Sequence, residues 1–332
     1  MNSFGRLFRL NIFGESHGEL MGITLDGVPP GIPLTPSDFK TDIERRKPMQ
    51  KGTTTRVEDD LPEMVSGVFN DYTTGAPLTI LFRNKNVRSD DYSEIASFFR
   101  PGHADFVAFK KYKGFNDVRG GGHFSGRLTL LLVAAGVIAK KIIKPISITT
   151  KIIEVGGNSD IETAISRAIE QNDSVGGVVE CVAENMPIGL GEPFFDSFES
   201  LLAHAVFSIP AIKGIEFGSG FKLARMYGSE ANDVFIDRQG HTLTNHSGGI
   251  HGGISNGNPL VFRVAVKPTS SIGIAQKTYH FKNDQMDSVH IQGRHDACIA
   301  LRVPVVLEAV TACVLADAML IAKAYDSNTV QD

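Results

Sequence analysis

The 332-residue sequence contains no tryptophan and three cysteines, Cys181, Cys298 and Cys313. They are far apart and make no Cys-x-x-Cys spacing, which excludes a zinc ribbon or a paired redox centre. An odd count suits a reducing compartment. The first residues, Met1-Asn-Ser-Phe-Gly-Arg6, lack the basic-then-apolar pattern of a signal peptide. The longest apolar run, Leu128 to Ala139, is interrupted by Thr129 and Gly136 and is too short to span a bilayer. A cytoplasmic protein is therefore expected. Lys and Arg (33) are outnumbered by Asp and Glu (37), and the net charge of −4 argues against a dedicated nucleic-acid binder. Neither G-x-G-x-x-G nor G-x-x-x-x-G-K-[ST] occurs, and Gly218-Ser-Gly220 is too short to stand for one, so a Rossmann or P-loop nucleotide site is not supported. No His and carboxylate set shows metal-ligand spacing, so no metal is expected, and Ser16-His17 are too close in sequence to act as a Ser–His nucleophile pair.

Glycine is plentiful, at 34 residues, and it clusters with histidine. Phe13-Gly-Glu-Ser-His-Gly18 packs a carboxylate, a hydroxyl and an imidazole between two glycines. Arg100-Pro-Gly-His-Ala-Asp105, Arg119-Gly-Gly-Gly-His-Phe-Ser-Gly-Arg127 and Gly293-Arg-His-Asp296 repeat the composition. Any one of these is an ordinary turn whose polar side chains satisfy backbone groups. Together they suit an anionic ligand held by backbone amides and cations, with imidazoles placed to move protons.

Alternation predicts strands at Met21–Leu25, Leu78–Phe82, Gly177–Ala183, Leu260–Val266 and near Gly214–Phe217. Thr35-Pro36-Ser-Asp38 is a helix start, with a capping hydroxyl, proline at the first turn and a carboxylate facing the dipole; that helix is expected to end near Arg46, before Pro48. Further helices are expected at Arg127–Lys141, Ile161–Gln171, Ser197–Phe207 and Pro304–Ala324. Met49–Leu61, polar and flanked or occupied by Lys47, Lys51 and Arg56, reads as a mobile loop that closes over a ligand. No Gly- or Pro-rich linker divides the chain. One α+β domain over residues 1–325 is expected, followed by a polar tail at 326–332; the irregular element order disfavours a doubly wound sheet.

These segments resemble the signatures of the chorismate synthase family. Gly14–Gly18 is similar to its first motif and Arg100–Arg127 to its second. Asn245–Ser255, Lys267-Pro-Thr-Ser-Ser271 and Gly293–Cys298 are similar to its later ones. The matches keep the family's order from Phe8 to about Leu320. The resemblance implies a layered β-α-β sandwich, with helices between antiparallel sheets, assembled as a homotetramer. It implies 1,4-anti elimination of phosphate from 5-enolpyruvylshikimate 3-phosphate, giving chorismate, the last step of the shikimate pathway. The implied cofactor is reduced FMN with no net redox, and NADPH is a candidate reductant.

Residue by residue, the resemblance assigns His17 and His103 to proton transfer and Asp296 to the flavin N5 end. Ser16, Arg46, Arg100, Ser125 and Arg127 fall to the substrate. His123, Phe124, Ser125, Ala211, Gly252, Lys267, Pro268, Thr269, Ser270, Ser271 and Arg294 fall to the flavin. Planar guanidinium suits the two carboxylates and one phosphate of such a substrate, whereas Arg45, Arg119 and Arg302 also fit structural pairing. His204, His241, His280 and His290 are read as structural. Two departures from the family pattern stand out. His123-Phe124-Ser125 replaces an Arg-Ser-Ser or Arg-Ala-Ser, and Ala297 replaces a usual proline. The chain is also shorter than typical members, and a trimmed peripheral loop is expected near residues 150–165. Two other readings remain at this point: an FMN-dependent reductase of a phosphorylated acid, and a non-catalytic flavin- or anion-binding protein.

Overall fold

The structure is a computed structural model that describes residues 2–47, 52–53, 58–85, 98–291 and 296–325. The expected lid, Met49–Leu61, lies outside the described residues apart from Gly52, Thr53 and Glu58–Leu61. Arg294, His295 and the tail at 326–332 also lie outside them.

Strands β1 (Ser3–Phe4), β2 (Arg9–Gly14), β3 (Leu20–Asp26), β4 (Glu63–Ser66) and β7 (Leu78–Arg83) form one antiparallel sheet in the order β1-β2-β3-β7-β4; β5 (Val68–Phe69) and β6 (Tyr72–Thr73) make a small hairpin beside it. Met21, Ile23 and Leu25 alternate along β3 with Leu78, Ile80 and Phe82 along β7, all fully buried, so one face of this sheet is apolar. The second antiparallel sheet has the order β10-β13-β9-β8. Its strands are β8 (Ser147–Val155), β9 (Gly177–Glu184), β10 (Ile212–Phe217) and β13 (Leu260–Val266). Two further hairpins pair β11 (Ile250–His251) with β12 (Ile254–Ser255), and β14 (Gln276–His280) with β15 (Gln285–Val289).

The helices are α1 (Lys40–Arg46), α2 (Asp105–Lys111), α3 (Thr129–Ile142), α4 (Ile161–Glu170), α5 (Phe198–Val206), α6 (Gly228–Ala231) and α7 (Val303–Ala324). Between the sheets, α3 packs on β3 and α7 packs on β8 and β9, while α3 and α7 lie against each other. Both are apolar all round because both faces are covered. Helix α7 is long and apolar enough to cross a membrane, but most of it is buried in the protein, as in a core helix. A Cβ on Gly136 would lie 2.3 Å from that of Ala309, so a glycine is what lets the two central helices approach. The layered β-α-β architecture agrees with the expectation.

Charge also crosses the helix layer. Glu308 on α7 accepts two hydrogen bonds of 2.7 Å from Arg45 on α1, one of 3.1 Å from Lys140 on α3 and one of 2.7 Å from Thr150 on β8. Burial raises the Glu308 pKa, but the Arg45 and Thr150 hydrogen bonds outweigh it and hold the carboxyl below its ordinary value. Arg45 is thus a structural ion-pair partner, one of the two uses open to it from sequence.

Besides β1, β4, β5, β6, β11, β12, β14, β15 and α6, which were not foreseen, three elements differ from expectation. Residues 147–155 form a nine-residue edge strand where a trimmed loop was expected. The Ile-, Thr- and Val-rich run Ser147-Ile-Thr-Thr-Lys-Ile-Ile-Glu-Val155 has the stiff β-branched side chains of a strand, and only the turn at 156–160 is loop. Helix α2 starts inside the second His segment and was not foreseen. Its residues Phe106, Val107 and Phe109, and Tyr112 just after it, leave apolar surface exposed, so no clean amphipathic stripe marks it. Strand β2, which delivers the first His segment, was likewise missed.

Candidate active site

Strand β2 ends at Gly14, and the chain turns through Glu15, Ser16 and His17 before β3. The Ser16 amide donates to the Gly122 carbonyl at 3.1 Å, which pins this turn to the triglycine run. Ser16 and His17 are 1% and 6% exposed, so they are interior groups rather than a surface turn. Gly120, Gly121 and Gly122 have φ of 59°, 83° and 53°, all in the left-handed region. A Cβ on Gly120 would sit 2.1 Å from the His17 ring, and one on Gly121 would sit 3.4 Å from His103 Cε1. Consecutive glycines therefore touch the two imidazoles, which lie 86 positions apart in sequence.

His103, two residues before α2, is part of a tight charged triad. Asp105 Oδ1 accepts from His103 Nδ1 at 2.6 Å, and Asp105 accepts from Arg100 through Nε at 2.7 Å and Nη2 at 2.8 Å. A carboxylate only accepts, so the proton of this contact sits on Nδ1, and Nε2 is the other nitrogen of a ring that lines the cavity below. Burial raises the Asp105 pKa, but hydrogen bonds from Arg100 and His103 win and hold it far below the usual carboxylate range. Behind the ring, Lys267 Nζ donates to the Gly102 carbonyl at 2.9 Å and to Ser270 Oγ at 2.7 Å, so the segment after β13 is tied to the His103 turn. Burial, and then the nearby Lys213, lower the Lys267 pKa.

A cavity of about 770 Å³ opens here. Of the residues singled out in the sequence, it is lined by Arg100, His103, His123, Phe124, Ser125, Ala211 and Lys267–Ser271. His123 also bonds the Gly14 carbonyl through Nδ1 at 2.7 Å, so the His-Phe-Ser departure has a structural use in fastening the first His turn. The sequence reading missed Lys213 and read His204 as structural; both also line the cavity. His204 sits edge-on to Phe4. Its placement at the end of α5 leaves no local motif to find.

Ser16 and His17 do not line that cavity, and neither do Arg46, Arg127 and Asp296, which form a largely buried charged cluster next to it. Arg46 donates to Thr129 Oγ1 at 3.0 Å and to the Gly126 and Arg127 carbonyls at 2.9 and 3.0 Å, and Gly126 and Thr129 are themselves cavity residues. Burial pushes Arg46 down to about 9, Arg302 and Arg127 add to this, and Asp60 and Asp296 oppose it; the group is still cationic at neutral pH. Arg127 donates through Nε to Asn84 Oδ1 at 3.1 Å, and its Nη2 lies 2.8 Å from Asp60 Oδ1. Asn84 in turn donates to the Glu15 and Gly18 carbonyls at 3.2 and 2.8 Å, linking the cluster to the His17 turn.

Asp296 pairs with Arg302 at 3.3 Å, so the carboxylate expected at the cofactor stands in the arginine cluster, off the cavity wall. Gly252 lies in the β11–β12 turn with open space where a Cβ would be, and it too is off the wall. Arg119 pairs with its neighbour Asp117 at 2.7 Å, a structural use. Asp60 and Asn84 were missed by the sequence reading; the one available signal was three acids, Glu58-Asp-Asp60, directly after a basic loop. Among the described residues no group of three or more side chains is arranged to hold a metal ion.

A family model described as chorismate synthase matches residues 8–320. The chain is 66% identical over 322 residues to the chorismate synthase of Chitinophaga pinensis, with 97% of each chain covered. It is 42% identical over 365 aligned positions to that of Methanocaldococcus jannaschii, with 96% of each covered. A crystal structure of a chorismate synthase superposes with a TM-score of 0.73 at 28% identity, covering 96% of this chain and 93% of the other.

The Asp105 triad gives a pH test. Asp105 stays ionised in the folded protein below the pH at which the unfolded chain protonates it. Its contribution is therefore complete above about pH 5 and fades as pH falls below about 4, toward the depressed folded value. Urea unfolding of wild type and Asp105→Asn across this range should show a stability gap that narrows as pH falls. A gap independent of pH would contradict the triad.

Proposed function

The chain belongs to the chorismate synthase family, and we propose from that premise how its own residues serve the family's reaction. That reaction is the 1,4-anti elimination of phosphate from 5-enolpyruvylshikimate 3-phosphate, which yields chorismate as the last step of the shikimate pathway. The single observation that carries the reading is the close approach of Gly120 and Gly121 to His17 and His103, the latter on the wall of one large cavity.

The cavity fits reduced FMN. Its volume falls in the range of about 300–1,000 Å³ that holds cofactors, and Leu132, Ile212 and Val310 contribute apolar wall. Lys267, Ser270 and Ser271, adjacent in the fold, contribute a cation and hydroxyls suited to a phosphate. When bound, reduced flavin lends electron density to the breaking bonds and recovers it, so there is no net redox. The protein's part is orientation and protonation. His103, with Nδ1 committed to Asp105, holds the proton-exchanging Nε2 at the cavity. His17, buried under Gly120, serves the departing phosphate as a proton donor. Arg46, Arg100 and Arg127, with Ser16 and Ser125, bind the polyanionic substrate and stabilise charge on the leaving group. His123, Phe124, Ala211 and Lys267–Ser271 face the flavin. The roles of Asp296, Gly252 and Arg294 rest on family resemblance alone.

We also propose one catalytic domain over residues 1–325, a cytoplasmic location and a homotetramer. One hydrophobic cluster runs from Phe8 to Ala318, which supports a single domain. All three cysteines are free and buried, which supports a reducing compartment. Phe194, Phe195, Phe221 and Tyr227 are 79–92% exposed, which supports burial against other copies. Sedimentation should then give the mass of four chains; a monomer mass would exclude the assembly.

The activity is tested by phosphate release from 5-enolpyruvylshikimate 3-phosphate, anaerobically, with FMN reduced by dithionite in catalytic amount. Wild type should turn over many times per flavin. His17→Ala and His103→Ala should each lose about a hundred-fold or more, the scale of general acid catalysis. Consumption of reductant in step with product would favour a reductase, and near-normal turnover of either variant would remove that imidazole from the chemistry.

A further inference from the structure

We propose that Asp60 is a positioning residue of the anion cradle, fixing Arg127 and, through it, Arg46 where the substrate's anionic groups are held. This rests on the reading of Arg46 and Arg127 as substrate contacts.

The observations are local and independent of the cavity. The Asp60 side chain is 3% exposed. It faces two guanidinium groups, Arg127 Nη2 at 2.8 Å and Arg46 Nη1 at 4.0 Å, both on side chains less than a tenth exposed. The contact with Arg127 is close, yet Asp60 Oδ1 and Arg127 Nη2 make no aligned hydrogen bond. It is a charge contact with bonding capacity to spare. Asp60 adopts φ of 52°, a left-handed backbone that costs a non-glycine residue energy and persists where the surroundings demand it. Arg127 is held on its other edge by Asn84, which ties it to the His17 turn.

Two guanidiniums packed this closely without Asp60 would repel one another in a site where water does not screen them. One carboxylate between two cations prevents that and still leaves positive charge for a dianionic or trianionic ligand. It also prepays the ordering of two long side chains, which would otherwise be charged against binding and orientation of the reacting groups.

A merely structural carboxylate and a positioning one differ in kinetics. Asp60→Asn makes the cradle more positive, so affinity for anions is retained, while Arg127 loses its fixed place. The expected result in the full-length enzyme is a kcat about ten-fold lower or more, with KM unchanged or reduced. Product inhibition by inorganic phosphate should be no weaker than in wild type. In a double-mutant cycle with Arg127→Lys, the two losses should be far from additive. If Asp60→Asn does not fold, Asp60→Glu carries the same test, because it keeps the charge and moves the carboxylate by one methylene. Wild-type kcat in the folded Asp60 variant, or additive losses in the cycle, would overturn the proposal. Arg127→Lys with wild-type kcat/KM would instead overturn the cradle itself, so the two failures are distinguishable.

Discussion

The site depends on the close approach of a bare backbone to two imidazoles. Only glycine can follow the path of residues 120–122, since all three have positive φ and a Cβ on Gly120 would occupy the His17 ring. That path places His17 and His103 along consecutive residues and lets the Gly122 carbonyl bind the Ser16 amide. It also sets where α3 begins, because a short 3₁₀ turn at Gly126–Leu128 follows at once. The interior helix and the histidine turns are consequently positioned by one stretch of chain.

Charge is the second organising term, and adjacent residues divide it. Arg45 and Arg46 point from the same helix into different surroundings. Arg45 is consumed by Glu308, holding α1 to α7 with Lys140 and Thr150 on the same carboxylate. Arg46 is buried beside the cavity and bonds backbone carbonyls of the turn that enters α3. A buried cation satisfied mainly by neutral acceptors and shared carboxylates is costly to the fold. The cost is reasonable where an anionic substrate completes the pairing. The sandwich thus supplies rigid walls, and the last turn of α1 carries one arginine paired for the fold and one buried beside the cavity.

Much of this was legible before any coordinates. Strands β3, β7 and β13 announce themselves by alternation, and α7 by an apolar run with Pro304 in its first turn. Recurrent Gly-His segments pointed to one site, and the structure brings three of them together. Other features were hidden for physical reasons. Helix α2 exposes aromatic residues on a face a sequence pattern expects to be polar, and β8 is an edge strand whose Thr and Lys dilute its alternation. The contact of Asp296 with Arg302 was not foreseen, because the only arginine beside it in sequence is Arg294. Asp60 carries no motif at all, and its meaning comes only from the two arginines that folding places around it.

The central claim is that flavin and substrate share one pocket built on the triglycine turn. Calorimetric titration of oxidised FMN, without and with saturating 5-enolpyruvylshikimate 3-phosphate, tests it most directly. Two ligands completing one partly cationic cavity must couple reciprocally. FMN is expected to bind weakly alone and at least about ten-fold tighter with substrate present, a coupling of about 1.4 kcal/mol or more. Identical FMN affinity in the two titrations would contradict a shared pocket.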